Sequence, residues 1–335
     1  MVASPPVVLG IDFGGTKIAA AVCDLAGNRL ASATVGSDGA LGAQASFGRG
    51  IGLARDLLET TAPGSELVSV GVATFGIPFE DRVELAPAID GWDRLAMGQE
   101  LRRAFPQAQI RMATDAKAAA QAEVRWGALA GCDPAVFLNL GTGLAAAVVV
   151  GGQVVNGVNG AAGEIGYNLR SVTDVGRPLD RRQLLEHMVS GQALGQRAAD
   201  AGRPAEQLTA ADVFAAGAAD GELADLIDNF VRELSFHLVN LAILVNPARI
   251  AVGGGIVRSW ARIGSPLQQA LASGAPFPPE LVVAHFPYDA PLLGAVAMAV
   301  DAAQGRAGPD HDGRAPAAAG EDAMHEHPIT MRTLS

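Results

Sequence analysis

The chain has 335 residues, 49% hydrophobic and 18% charged, enough to build two domains with separate cores. Its net charge of −11 and its lack of a basic run exclude nucleic acid and anionic membranes as default partners. Two cysteines, Cys23 and Cys132, exclude a disulfide framework and a closed multi-cysteine zinc site, and both read as buried free thiols.

The opening residues MVASPPVVLG carry no basic region ahead of a short apolar run, and every 18-residue apolar stretch is broken by a charge or a glycine. The reading is therefore of a cytoplasmic protein in a reducing compartment. Val7–Ile11 and Ile18–Val22 read as strands, and a third follows from Leu30 after the turn at 24–29. Residues 47–60 suit a helix, 67–73 a strand, 95–105 a helix ending before Pro106, and 109–113 a strand. The stretch 114–127 reads as a helix that Thr114 or Asp115 can cap and Gly127 can end. Residues 135–155 read as strand, glycine loop, strand, Gly-Gly turn, strand. Apolar spacing predicts helices over 184–199, 222–245 and 290–300, with strands at 249–255 and 281–286. From about Gly305 the apolar periodicity stops, so 304–335 reads as a disordered tail containing His311, His325 and His327.

Strand, glycine–threonine loop, strand, turn and strand recur in that order at 7–35 and 135–156, with Thr16 and Thr142 in matching places. This internal repeat predicts two similar α/β domains, each offering one glycine loop to a shared cleft. In the first loop, Gly14 and Gly15 let backbone amides approach an anion, and Thr16 offers a hydroxyl. Asp12 would repel a bare phosphate, so its part there runs through Mg²⁺ or its waters. Lys17 adds positive charge or faces solvent, and a plain tight turn is the alternative for the whole stretch.

Other phosphate motifs fit less well. The DFG at 12–14 lacks a preceding kinase catalytic loop, and no Walker A pattern is present. Gly141–Ala146 matches the dinucleotide fingerprint G-x-G-x-x-A, with Glu164 some 20 residues on, but the valines that follow favour a hairpin over the required helix. Gly141, Thr142 and Gly143 therefore read as a second phosphate loop. Gly253–Gly255 permit flat contact with a ring or ribose, or only relieve crowding at a helix start. Asp115, where a strand meets a helix, can take a proton from a substrate hydroxyl, orient that hydroxyl, or be an ordinary N-cap. Glu164 and Glu186 are surface acids or a pair that orders sugar hydroxyls.

In order, GIDFGGTK (10–17), GVATFG (71–76), APAIDGW (86–92), TDAKAAAQAE (114–123), LGTGLAAAVV (140–149), NGAAGEIGY (159–167), LEHMVSGQAL (185–194) and VGGGI (252–256) together resemble the ROK family of the actin-like and hexokinase-like ATPase superfamily. The resemblance spans about 7–303 and implies an α/β fold of two duplicated actin-like (ribonuclease H-like) domains around a central cleft. The implied division is 1–114, then 115–289, with 290–303 as a closing helix packed back on the first domain. The implied activity is ATP-dependent phosphorylation of a primary hydroxyl, with Asp115 as the base. Gly14, Gly15, Thr16, Lys17, Gly141, Thr142 and Gly143 would hold the ATP phosphates, Asp12 would stand near Mg²⁺, and Gly254 and Gly255 would flank adenosine. Thr114, Glu164, Tyr167 and Glu186 would face the sugar.

The departures from the family pattern concern the acceptor. Thr114 and Ala88 replace asparagines, Tyr167 replaces the histidine of GEIGH, Lys117 replaces a frequent asparagine, and 171–186 contains none of the zinc-motif cysteines. The resemblance therefore implies an intact phosphate machinery, no structural zinc and an altered sugar pocket. The expected acceptor is a hexose-like amino sugar such as kanosamine, a cyclitol or a glucose relative, with Asp90 a candidate to meet an amine. Some relatives of this kind serve antibiotic biosynthesis. A homodimer is also implied. The competing reading is a non-catalytic sensor or regulator of the same family, whose repressors carry an N-terminal DNA-binding domain for which a first strand at Val7 leaves no room.

Overall fold

A computed structural model describes residues 4–200, 209–217 and 220–306. The tail from 307 onward, with its three histidines, lies outside the described residues. Strands β1 (Val7–Phe13), β2 (Lys17–Asp24) and β3 (Arg29–Gly36) form an antiparallel meander, followed by helix α1 (Ala43–Thr61) and strand β4 (Leu67–Thr74). A short β5–β6 hairpin (Ile77–Pro78, Val83–Glu84), α2 (Met97–Ala104) and β7 (Gln109–Thr114) complete this half. Helix α3 (Asp115–Trp126) leads to a second meander, β8 (Ala135–Leu140), β9 (Leu144–Val150) and β10 (Gln153–Val154). Then come α4 (Gly191–Asp200), α5 (Ala210–Ala216), α6 (Gly221–Val245), β11 (Arg249–Gly253), α7 (Trp260–Gly274), β12 (Glu280–Val283) and α8 (Ala290–Ala303).

The two sheets have the same topology. The first runs β3-β2-β1-β4-β7 and the second β10-β9-β8-β11-β12. In each, the first three strands pair antiparallel and the last two add in parallel. The repeat read in the sequence is thus a repeat of fold. The central strands are almost continuously buried, as sheets covered on both faces require.

Helix α8 returns to the first sheet. Leu292, Val296, Ala299 and Val300 pack with Val8, Ala19, Ala21 and Cys23, while Ala295 and Met298 meet Ala73, Ala113 and Ala118. The approach is close because two facing positions lack side chains. A Cβ on Gly71 of β4 would stand 1.9 Å from the Ala295 carbonyl oxygen, and one on Gly294 of α8 would stand 1.7 Å from that of Ala118 in α3. Helix α3 also packs on the second sheet, through Ala119 and Ala120 against Phe137, Ala147 and Ala251. The alanines that favour helix in 114–127 therefore also allow α3 to run between α8 and the second sheet.

Three expectations need correction. Cys132 is only partly buried, whereas Cys23 is buried as expected. The helix predicted over 184–199 does not begin at Leu184: Leu185–His187 form a single 3₁₀ turn, and α4 starts at Gly191. The Gly191 amide instead donates to the Gly141 carbonyl (2.8 Å), and Ser190 Oγ accepts from the Ala193 amide (3.1 Å), so the helix is started and capped there. The strand predicted over 281–286 stops at Val283 because the His285 and Phe286 amides turn away to donate to Glu123 (3.1 and 2.7 Å).

The cysteine-free segment after Asn168 folds as 3₁₀ turns, Val172–Asp174 and Leu179–Arg181, held by polar contacts. Arg170 pairs with Glu233 of α6 and donates to Gln183 (2.8 Å), and Ser171 and Asp174 form a capping box.

Gly294→Ala, which forces a methyl against backbone, is expected to destabilise the protein by roughly 1–3 kcal/mol or more. Gly48→Ala, in α1 where a Cβ meets nothing within 4 Å, is expected to stabilise by about 0.5–1 kcal/mol. Urea denaturation of both variants checks the pair.

Candidate active site

The first turn, 14–17, joins β1 to β2. The Gly14 amide donates to the Lys17 carbonyl (3.0 Å), leaving Gly15, Thr16 and Lys17 exposed. Ser37 braces it from β3's end, its Oγ donating to the Gly15 carbonyl (2.7 Å) and its amide to that of Thr16 (3.0 Å). The second turn, 141–143, joins β8 to β9 in the same way, with Gly141 donating to the Gly143 carbonyl (3.1 Å) and Thr142 exposed. It is clamped from behind. Gly254 has φ of 90°, and a Cβ there would stand 2.4 Å from the Leu140 carbonyl oxygen, so only glycine both adopts the dihedral and lets β11's end lie on the turn. Gly255 is exposed beside it and opens a 3₁₀ turn, Gly255–Ser259.

Asp115 is the first residue of α3. The N-cap is Thr114, whose Oγ1 accepts from the Lys117 amide (3.4 Å), so Thr114 carries the capping role that the sequence left open between the two. Asp115 Oδ1 accepts from the Ala116 amide (2.7 Å). Glu186 stands on the Leu185–His187 turn, and its Oε2 accepts from the Leu144 amide (2.8 Å), directly behind the second turn. A Cβ on Gly143 would stand 2.5 Å from that oxygen. Glu164 and Tyr167 follow a glycine-rich loop fixed to β9, where the Ala146 amide donates to the Gly163 carbonyl (2.8 Å). Lys117 is buried, and its Nζ donates to the Gly160 carbonyl of the same loop.

Electrostatics ties these groups together. Burial, chiefly, and then the Asp115 charge raise the Asp12 carboxyl to about 7, with Asp289 adding to the rise and Lys17 opposing it. Burial and the nearby Glu186 raise Asp115 to about 6, against its Ala116 hydrogen bond and Lys117. Burial raises Glu164 to about 7, with Asp115 and Glu186 adding and Lys117 opposing. Burial, Glu186 and Glu164 raise the Tyr167 phenol, which therefore stays a donor at neutral pH. Asp12, next to the first turn, thus feels Asp115, and Asp115 feels Glu186, bonded behind the second. The two turns converge on one acidic cluster, as perturbed groups at a functional site do.

Asp90 does not join this cluster: its side chain is 97% exposed, with Arg94 its ionic neighbour at 3.8 Å. Two members escaped the candidate set read from the sequence. Asp289 just precedes α8, where no motif marks it, and Lys117 stands out there only as a replaced asparagine. The Asp12 carboxyl accepts no hydrogen bond from the described residues, so its lone pairs are available to a hydrated cation. No group of three or more His, Cys, Asp or Glu among those residues could hold a metal by itself.

Comparison with known proteins fits this geometry. The ROK family pattern matches residues 8–302, and the chain belongs to the ROK family. It is 28% identical over 280 residues to a glucokinase of Halalkalibacterium halodurans, covering 78% of this chain and 84% of that one. It is 31% identical over 258 residues to a kanosamine kinase of Amycolatopsis mediterranei, covering 75% and 80%. Among solved structures it resembles a ROK family glucokinase from Streptomyces griseus in complex with glucose and AMPPNP, with a TM-score of 0.70 and 26% identity over 87% of this chain and 98% of that one.

The raised carboxyls carry a stability cost. Asp115 titrates near 6 when folded against an ordinary 3.8, so the folded state favours its protonated form. The destabilisation sets in as pH rises past about 4 and is complete above about 7. Asp115→Asn is therefore expected to raise stability at pH 8 by up to about 3 kcal/mol. The gain should shrink steadily as the pH falls toward 4, which thermal melts across that range check.

Proposed function

We propose that this ROK family protein is an ATP-dependent carbohydrate kinase that phosphorylates the primary (6- or 7-) hydroxyl of a hexose-like acceptor, with an amino sugar such as kanosamine the favoured class. The observation that carries the reading is the coupling of Asp115 to Asp12, beside the first glycine turn, and to Glu186, hydrogen-bonded behind the second. Exposed residues at 14–17 and 141–143 suit a polyphosphate tail, and Gly254 and Gly255, packed behind the second turn, would flank the nucleoside. Asp12 would hold Mg²⁺ through water, and the ion supplies charge neutralisation on the phosphates when bound.

Asp115 takes the proton of the attacking hydroxyl and aims its oxygen at the terminal phosphorus. A carboxyl near 6 is ionised at pH 7 yet a better base than an exposed aspartate. Glu164 and Glu186 accept from the remaining acceptor hydroxyls, and the neutral Tyr167 donates to one. Phosphoryl transfer of this kind depends mostly on position and charge, which a braced cleft supplies.

The preference for an amine rests on charge. Asp12, Asp115, Glu164 and Glu186 crowd one cleft with a single buried lysine among them, so an acceptor bearing an ammonium offsets repulsion that a neutral sugar leaves in place. Ala88 and Thr114, where the family carries asparagines, remove polar contacts suited to glucose. The similarity to a kanosamine kinase supports the same class. A part in antibiotic biosynthesis belongs to this reading, as the family resemblance implies. Two copies of the chain form the active species in this reading, as the family resemblance implies.

Two experiments test it. Asp115→Asn should lower turnover by about a thousandfold or more while ATP affinity stays within a few-fold, and near-normal turnover would remove Asp115 as the base. ADP release with glucose, mannose, N-acetyl sugars, kanosamine and C7-cyclitols, with product mapping, should give a free amino sugar or cyclitol the highest kcat/KM. Efficient turnover of glucose alone would refute the altered acceptor pocket.

A further inference from the structure

Lys117 is 2% exposed, two residues beyond Asp115 on α3. A buried ammonium is costly unless paired, so its surroundings need an account. Among the described residues its ammonium donates to the Gly160 carbonyl alone, four residues before Glu164, so it fastens the loop that presents one acid to the helix that presents the other. Its side chain also borders a small gap with Ile77, Thr114, Asn156 and Gly160. A lysine serving only as a pin would need neither acid nearby, since a neutral donor reaches a carbonyl as well.

We propose that Lys117 is a positioning residue of the transfer reaction: its ammonium, fixed to Gly160, is the counter-charge that lets Asp115 and Glu164 stand together as carboxylates around the acceptor. Burial lowers the Lys117 ammonium's pKa, and the charges of Glu164 on the loop and Asp115 on its own helix oppose that fall. Glu186 acts on both of those acids from its 3₁₀ turn, and Asp12 is coupled to Asp115 from β1. Lys117 opposes the upward shift of both Asp115 and Glu164. Removing its charge raises both carboxyls, so activity requiring them ionised is lost at a higher pH as the pH falls.

This inference rests on the assignment of Asp115 as base and Glu164 as acceptor ligand. The test compares Lys117→Met, Lys117→Gln and Lys117→Arg in the full-length protein, with near-UV circular dichroism to confirm folding. Lys117→Gln keeps a neutral donor and Lys117→Arg keeps the charge. The acceptor is glucose or kanosamine, whichever the wild-type enzyme turns over faster, and kcat and KM are measured from pH 5 to 9. Methionine and glutamine should each move the acid limb of kcat/KM upward by about one pH unit and raise acceptor KM roughly tenfold, with ATP KM within about twofold. Arginine should leave the limb within about 0.3 unit.

A glutamine variant with a wild-type limb, or variants that raise ATP KM as much as acceptor KM, would reduce Lys117 to a structural pin and overturn the proposal. Should the methionine variant fail to fold, the glutamine and arginine variants still separate charge from hydrogen bond. Absence of wild-type turnover on either sugar, or an active Asp115→Asn variant, would instead count against the functional reading beneath it.

Discussion

Four carboxylates gathered in one partly buried cleft repel one another, and the rest of the molecule is arranged to hold them there. Asp12, Asp115, Glu164 and Glu186 come from β1, α3, a glycine-rich loop and a 3₁₀ turn, so no single element sets their spacing. Three are held by hydrogen bonds nearby: Asp115 by the Ala116 amide, Glu186 by the Leu144 amide, and the Glu164 loop by β9 and Lys117, while Asp12 is placed by strand β1. Such a group lowers stability in the free protein, and ligands that bring positive charge or hydrogen-bond donors relieve it. A kinase cleft gains by this, because the relief is largest when both substrates are bound.

The scaffold that fixes the cluster depends on backbone packed against backbone. Helix α8 lies on β1 and β4 at Gly10 and Gly71, which are neighbours in the parallel ladder, and crosses α3 at Gly294 and Ala118. Helix α3 carries Asp115 at its N-terminus and bears on the second sheet along the same alanine-rich length. One helix therefore connects the first glycine turn's sheet, Asp115 and the second turn's sheet with little side-chain bulk between them. That shortness of contact sets the position of Asp115 relative to both turns.

Much of this was legible in the chain. The repeat of strand, glycine–threonine turn and strand showed the duplicated topology because hairpins leave strong local signals, and the Gly151–Gly152 turn, with φ of 63° and 70°, is of the kind such a pair dictates. The cap at Thr114, the terminator at Gly127 and the long helix ending before Pro247 lay within a residue or two of the expected bounds. Most of the failures had non-local causes. Residues 184–190 have helical spacing, but Gly191 is drawn to Gly141 fifty residues earlier. Helix α7 contains Pro266 and follows three glycines, so its periodicity is masked. Asp90 looked useful beside a family motif yet projects to solvent, and Asp289 reaches the cluster only because α8 folds back on the first sheet.

The most direct measurement is a crystal structure of the protein with a non-hydrolysable ATP analogue, Mg²⁺ and kanosamine. The account predicts the phosphate tail lying between residues 14–17 and 141–143, with an Asp115 oxygen within hydrogen-bond distance, about 2.6–3.2 Å, of the acceptor's primary hydroxyl. A nucleotide bound elsewhere, or an acceptor whose primary hydroxyl faces away from Asp115, would contradict it.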